Sequence, residues 1–324
     1  DKPYESLAAT KKSLDLREIL VQRNPLVPEY HTDLAHSYSN YAVHDTPKAV
    51  KTPAERLALR KKSLDHLREA HRLNPNNVDY QHKLAHSLVI LSNSHRQLNQ
   101  FDTAESHLTE AIALWDGILA RRQAKALHRL QLAGAYTQFA HLRRQQNKLD
   151  EAIGFHQKAN LVLDGLASEA QDPSRYLYER TINLANITYC LAQLQRSEAA
   201  CQTQLEAVQI RAALVLRYPQ MKEYRTGLAN ALGNLREIVK VLDGEPAMHW
   251  TLATEIARCL PKTEQDSPAY ALIRAEQVAC IVEALRRAGS SVEIRRVLAE
   301  PAFTAWRSMP DFQRYLHRIR HQVK

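Results

Sequence analysis

The sequence predicts an all-α chain built from helical hairpins in series and closed by a helical cap. Three observations carry this. Only 8 of 324 residues are glycine, so few positions can take the positive φ that hairpin turns and phosphate loops require. Leu, Ala, Gln, Arg and Glu dominate, and these are good helix formers. The chain also contains a duplicated unit. Residues 3–37 set against 53–87 give 16 identities in 35 positions, including KKSLD at 11–15 and 61–65.

The elements follow in order. Asn24-Pro25 and Asn74-Pro75 each stop one helix before the next begins, and Tyr30 returns as Tyr80. A Leu-Ala pair then marks the first helix of every hairpin, at 34/35, 84/85, 132/133, 184/185 and 228/229, with spacings of 44–52 residues. Three residues after each Ala stands Tyr38, Leu88, Tyr136, Thr188 or Leu232, extending a helical stripe that is apolar apart from Thr188. The second helices carry small residues at regular spacing, as in Ser63–Leu67–Ala70, Ala104–Leu108–Ala111 and Ala152–His156–Ala159. Small residues let antiparallel helices approach closely, and a hairpin that cannot bury its own apolar face must stack on a neighbour. Asp243-Gly244-Glu245-Pro246 reads as a turn and Pro261–Pro268 as a second break. Between 269 and 287 a helix is expected to bury Leu272, Ala275, Val278, Ala279, Val282 and Leu285, with Ser291 capping the helix after it. The predicted organisation is an array over 1–243, then a degenerate final repeat and cap over 244–324.

Leu plus a small residue in the first helix, then Ala, a large residue, Ala and Pro in the second, resembles the tetratricopeptide repeat. The resemblance covers about residues 4–243 and implies a right-handed superhelix, an α-solenoid. Two features depart from it. No Trp opens the first helix, where His31, Gln81, Arg129, Thr181 and Arg225 stand instead, and the period is 44–52 rather than 34 residues. The Tyr-x-x-x-Leu-Ala spacing and the ending (Glu300-Pro301-Ala302-Phe303, Trp306-Arg307, Pro310-Asp311-Phe312) are similar to the repeat regions that follow planctomycete bacterial serine/threonine kinase domains. Some sigma-factor-like proteins of those bacteria carry the same kind of region. Neither a glycine-rich nucleotide loop nor HRD or DFG occurs, so the resemblance places any kinase domain upstream of Asp1. From the start at Asp1 without methionine, the chain is expected to be a piece of a longer protein.

Composition excludes several classes. A hydrophobic content of 44% leaves ample core, and no apolar run approaches the ~18 residues of a membrane span. The expected location is the cytoplasm, with Cys190, Cys201, Cys259 and Cys280 as reduced thiols, since they form no CxxC pair. No GxSxG or P-loop occurs, and Asp150-Glu151 has a sufficient role at a helix N-terminus, so no enzymatic activity and no cofactor is expected. His82 and His86 have i,i+4 chelating spacing without a third ligand nearby, so no metal site is expected.

The resemblance implies that the first helices line a concave face that recognises a peptide or protein. Positions two and six after each marker Leu share one face: His36/Asn40, His86/Ile90, Gly134/Gln138, Asn186/Cys190 and Asn230/Asn234. Asn and Gln both donate and accept, as an extended peptide backbone requires. The expected binding residues are therefore His36, Asn40, His86, Gln138, Asn186, Asn230 and Asn234. In the resembled family asparagine at the first position often holds the peptide, and the matches are Asn186 and Asn230.

The net charge of +9 is uneven. Residues 121–149 carry +7 with no acid, including Arg121, Arg122, Arg143 and Arg144; residues 286–324 carry +6, leaving the rest at −4. Acidic protein partners suit these two basic patches. A nucleic-acid reading, the alternative, lacks aromatic platforms among the arginines.

Overall fold

A computed structural model of the chain describes residues 2–43, 51–121, 124–242, 246–259 and 271–287, with 303, 306, 312–314 and 317. All the elements among them longer than one turn are α-helices: α1 (Lys2–Arg23), α2 (Pro28–Val43), α3 (Pro53–Leu73), α4 (Val78–Gln97), α5 (Phe101–Leu119), α6 (Ala126–Gln145), α7 (Leu149–Glu169), α8 (Ser174–Gln193), α9 (Ser197–Arg217), α10 (Lys222–Val241), α11 (Pro246–Arg258) and α12 (Ala271–Arg287). The chain divides into two compact units, Asp1–Leu166 and Ala167–Lys324.

In the first unit α2 packs on α3, α3 on α4, α4 on α5 and α5 on α6, as expected of hairpins in series. The marker alanines and their partners in the second helices are sealed from water: Ala35, Ala70, Ala85, Ala104, Ala111, Ala152 and Ala159 are all buried. Close approach brings side chains to the neighbouring backbone. Ser63 Oγ donates to the Ala35 carbonyl at 2.8 Å, and Ser92 Oγ to the Ala104 carbonyl at 2.8 Å. Larger residues fill the space on either side, with Trp115 fully buried among Leu84, Leu88, Leu91 and Leu132.

The second unit uses the same device. Gln204 Nε2 on α9 donates to the Ala231 carbonyl of α10 at 2.8 Å, and Gln277 Nε2 on α12 to the Ile256 carbonyl of α11 at 2.7 Å. One core joins α9, α10, α11 and α12 with Phe303, Trp306 and Phe312, so residues before 243 and after 246 share it. The expected stripe on α12 needs correction. Ile273, Gln277, Val278, Cys280, Ile281, Ala284 and Leu285 are buried, whereas Ala275 is exposed and Val282 half-buried. The buried polar Gln277 shifts the face, because its amide satisfies the α11 carbonyl. The side chain of Leu272, the break at 261–268 and the Ser291 cap lie outside the described residues.

The turns explain the scarce glycine. Between first and second helices the chain reverses through Asn99, Asn147 and Gln195, at φ 57°, 58° and 58°. Each turn closes with the same six-residue hydrogen bond: Gln100 N–H to His95 O, Lys148 N–H to Arg143 O, and Arg196 N–H to Leu191 O. Asparagine tolerates this left-handed conformation better than most residues, and glutamine does not. Gln195→Gly should therefore stabilise the second unit by ~0.5–1 kcal/mol, and Gln195→Val should destabilise it. Urea unfolding followed by exchange protection on α8 and α9 checks both directions.

Candidate functional site

The loops that feed the first helices set their orientation. At 24–27, 74–77 and 218–221 the backbone follows one pattern, in which residues 24, 74 and 218 donate back to the ending helix. The position where the resembled repeat has Trp then anchors the loop. His31 Nε2 bonds the Pro25 carbonyl at 2.9 Å, Gln81 Nε2 the Pro75 carbonyl at 2.7 Å, and Arg225 the Pro219 carbonyl. These donors reach a carbonyl six residues back, a polar solution where the family uses an apolar ring. Every residue at that position has a donor, which was the signal in the sequence.

The expected peptide-binding residues divide into two groups. In the first unit His36 and Asn40 are exposed on α2, with Asn40 Nδ2 3.4 Å from the His36 ring nitrogens. His86 on α4 is exposed, yet the protein around it displaces enough water to push its pKa down. Gln138 on α6 is half-buried. In the second unit Asn186 on α8 is half-buried, and its Nδ2 donates to the Ile182 carbonyl one turn back at 2.9 Å. Its amide nitrogen is thus engaged within the helix, and the next position on that face, Cys190, is buried.

Asn230 and Asn234 differ. Both are exposed, one turn apart on α10, and with Ala229 and Gly233 they face Glu276 of α12 across a recess of about 230 Å³. Gly233 lies at the floor, where a Cβ would stand in ordinary contact with Glu276 Oε2 at 3.6 Å. Arg236 Nη1 lies 3.0 Å from the same oxygen and holds the carboxylate in place. The recess therefore offers two amides and an anchored carboxylate. Glu276 was missed in the sequence because it sits within a helix read only for its apolar stripe. A larger depression of about 590 Å³ lies at the α8–α9 turn, lined by Gln195–Ala199, Gln202 and Val241, and contains none of the expected residues.

The basic residues at 121–149 do not form one free surface. Arg143 is buried, with Nη1 and Nη2 bonding both oxygens of Glu105 at 2.7 and 2.6 Å and Nε 2.7 Å from Glu151. Its guanidinium also lies 5.0 Å from the Phe139 ring. The two carboxylates come from α5 and α7, so this cation is neutralised from adjacent helices. The Glu105 pair raises the Arg143 pKa, and the same bond holds Glu105 below the usual carboxylate range. Arg121 donates to the Asn76 carbonyl at 3.2 Å, Arg144 is half-buried, and Arg122 lies outside the described residues. In the second patch Arg286 and Arg287 pair with Glu283; most of the rest lies outside the described residues.

The other chemistry-bearing groups are placed structurally. Cys190, Cys201 and Cys280 are buried, and burial pushes the Cys201 and Cys259 thiols up to about 12, so none of these two is a ready thiolate nucleophile. Glu151 of the acidic pair pairs with Arg143 and Lys148. Among the described residues no group of three His, Cys, Asp or Glu side chains could hold a metal, and no helix is long and apolar enough to cross a membrane.

The fold defines a class: a protein of tandem α-helical hairpins. No family model matches the sequence, and no curated protein matches it. Three solved structures resemble it loosely. BtubC (BKLC) from P. vanneervenii is 17% identical, with 77% of this chain and 92% of that one covered at a TM-score of 0.45. MamA is 12% identical over 64% and 91% at 0.40, and the apo form of RapI 12% identical over 90% and 98% at 0.36.

Arg143 gives a direct stability test. Arg143→Ala should destabilise the first unit by ~2 kcal/mol, because the guanidinium bridges three helices from a buried position. A surface cation held for a nucleic acid would give a loss within ~0.5 kcal/mol. Urea midpoints of the two proteins decide between them.

Proposed function

We propose that the chain is a non-catalytic scaffold whose first-helix face binds an extended peptide or protein segment. The observation that carries this reading is the α10/α12 recess, where Asn230 and Asn234 stand exposed one turn apart beside Glu276. Two amides at that separation can satisfy donor and acceptor groups of a peptide backbone, and the carboxylate adds a preference for a cation or a free N–H nearby. Polar side chains at such positions contribute nothing to the core, so their loss should spare the fold. Attachment to an upstream serine/threonine kinase domain, and a place in the cytoplasm, belong to the same proposal and rest on the family resemblance alone. The burial and pairing of Arg143 weigh against the nucleic-acid alternative.

A fluorescent ten-residue peptide library screened against the full chain tests the reading. Asn230→Ala with Asn234→Ala should weaken the selected peptides about tenfold, the equivalent of ~1.4 kcal/mol for two lost hydrogen bonds, with an unchanged melting temperature. Selected peptides that bind the double variant as tightly as the parent would remove α10 from the binding face. A screen that selects nothing counts against the scaffold reading itself.

A further inference from the structure

Four histidine pairs lie across helix–helix seams of the first unit. His31 on α2 meets His66 on α3 with the Nδ1 atoms 3.1 Å apart. His82 on α4 meets His128 on α6 with ring centres 5.2 Å apart. His95 on α4 meets His107 on α5 at 5.4 Å, and His141 on α6 meets His156 on α7 at 5.5 Å. The last two pairs occupy equivalent places, 46 and 49 residues apart along the chain. The 167–324 segment has only three histidines, and no such pair is present among its described residues.

The rings are engaged by hydrogen bonds across the seams. A carbonyl only accepts, so His31 Nε2 donates to Pro25, and a single proton lies between His31 Nδ1 and His66 Nδ1. His128 Nδ1 accepts the Lys125 N–H at 3.1 Å, so a proton there would break the start of α6. His82 Nδ1 accepts from Trp115 Nε1 at 3.4 Å. His95 Nδ1 donates to Gln100, which leaves its buried Nε2 and the buried His107 Nδ1 without hydrogen-bond partners.

We propose that the first unit is an acid-sensitive element: proton uptake by the paired histidines opens the seams between α2 and α7, whereas the second unit has a single buried histidine among its described residues, His249 beside Arg287. The surrounding charges assist. Around His141–His156 stand Arg144 and Arg96, both cations. Around His95–His107 stand Arg68 and Lys61 of α3 with Glu110. His82–His128 faces Asp79, Lys83, His86 and Lys125. His31–His66 has Asp65, Glu18, Lys62 and Glu69 near it and the Tyr38 ring stacked on His66, so its carboxylates make it the seam that best tolerates a proton.

Burial lowers the pKa of His66, His82, His107 and His128, and that of His141 to about 4. A group depressed in the closed state contributes stability that is complete above its open-state value near 6.5 and is lost as pH falls toward its closed-state value. A ring that is neutral when closed raises the opening constant about 30-fold at pH 5.0. Glu105 and Glu69 are held below the ordinary carboxylate range, so the interval from 6.5 to 5.0 belongs to the histidines.

Hydrogen exchange of the full chain at pH 7.5 and 5.0, corrected for the intrinsic rate, tests this. Protection over α4–α7 should fall at least tenfold, and by more than over α9–α10 of the second unit, whose one buried histidine among the described residues is His249. His141→Leu with His156→Leu and His128→Gln, which keeps an acceptor for the α6 start, should remove most of the loss. Should that variant be loosened already at pH 7.5, ring resonances of the parent decide. A His141 midpoint near 4 supports the switch, and one at the ordinary 6.5 overturns it. Full protection at pH 5.0, or an equal loss in a well-folded variant, also overturns it.

Discussion

The distance at which neighbouring helices meet governs the rest of this molecule. Ala35, Ala85, Ala104 and Ala111 are buried because the facing backbone comes close enough to seal a methyl group. At that distance a serine or glutamine on one helix reaches a carbonyl on the next, as Ser63, Ser92 and Gln204 do. A residue too bulky for an alanine position would force the helices apart and break these bonds together with the apolar contacts, at a typical cost of ~1–3 kcal/mol. The pairwise packing and the buried polar bonds follow from that separation, because a polar side chain in such a gap has its nearest partners on the facing helix.

The turns serve the same geometry. A reversal within three residues brings the second helix back against the first before the chain has spent length on a loop. That requires one left-handed residue, and the chain supplies Asn99, Asn147 and Gln195 instead of glycine. Gly117, Gly134, Gly154 and Gly165 lie inside helices, with open space where a side chain would stand. Low glycine therefore reflects both the small number of turns and the use of amide residues in them.

Much of the frame was legible in the sequence because it repeats. The Leu-Ala markers, the small residues of the second helices and the prolines are short-range signals tied to helical periodicity, and all lie where their spacing puts them. The α12 stripe was misjudged since a polar residue, Gln277, occupies a core position, and periodicity counts only apolar residues. The recess was half legible. Asn230 and Asn234 share a helix and a spacing, whereas Glu276 arrives from α12 through a packing that no local pattern encodes. The histidine pairs left a trace in the repeat distances of His95 with His141 and His107 with His156, but pairing across a seam is a property of two helices at once.

Charge shows the same limit from the other side. The run 121–149 contains no acid, and read along the chain it is a strong cationic patch. In space α6 is flanked by α5 and α7, whose Glu105 and Glu151 converge on Arg143, so this one cation ties three helices together. Arg143 is suited to this because its planar fork can bond two oxygens of Glu105 while its Nε faces Glu151, a geometry lysine cannot match. Arg96 and Arg144, by contrast, lie near His141 with no carboxylate among the charges acting on that ring. Arg143 with its carboxylates thus stabilises the α5–α7 seam at neutral pH, and Arg96 and Arg144 beside half-buried His141 make the same region oppose a proton. Arginines on α4 and α6 therefore enter both the stability of the first unit, through Arg143, and the cost of a proton on His141, through Arg96 and Arg144.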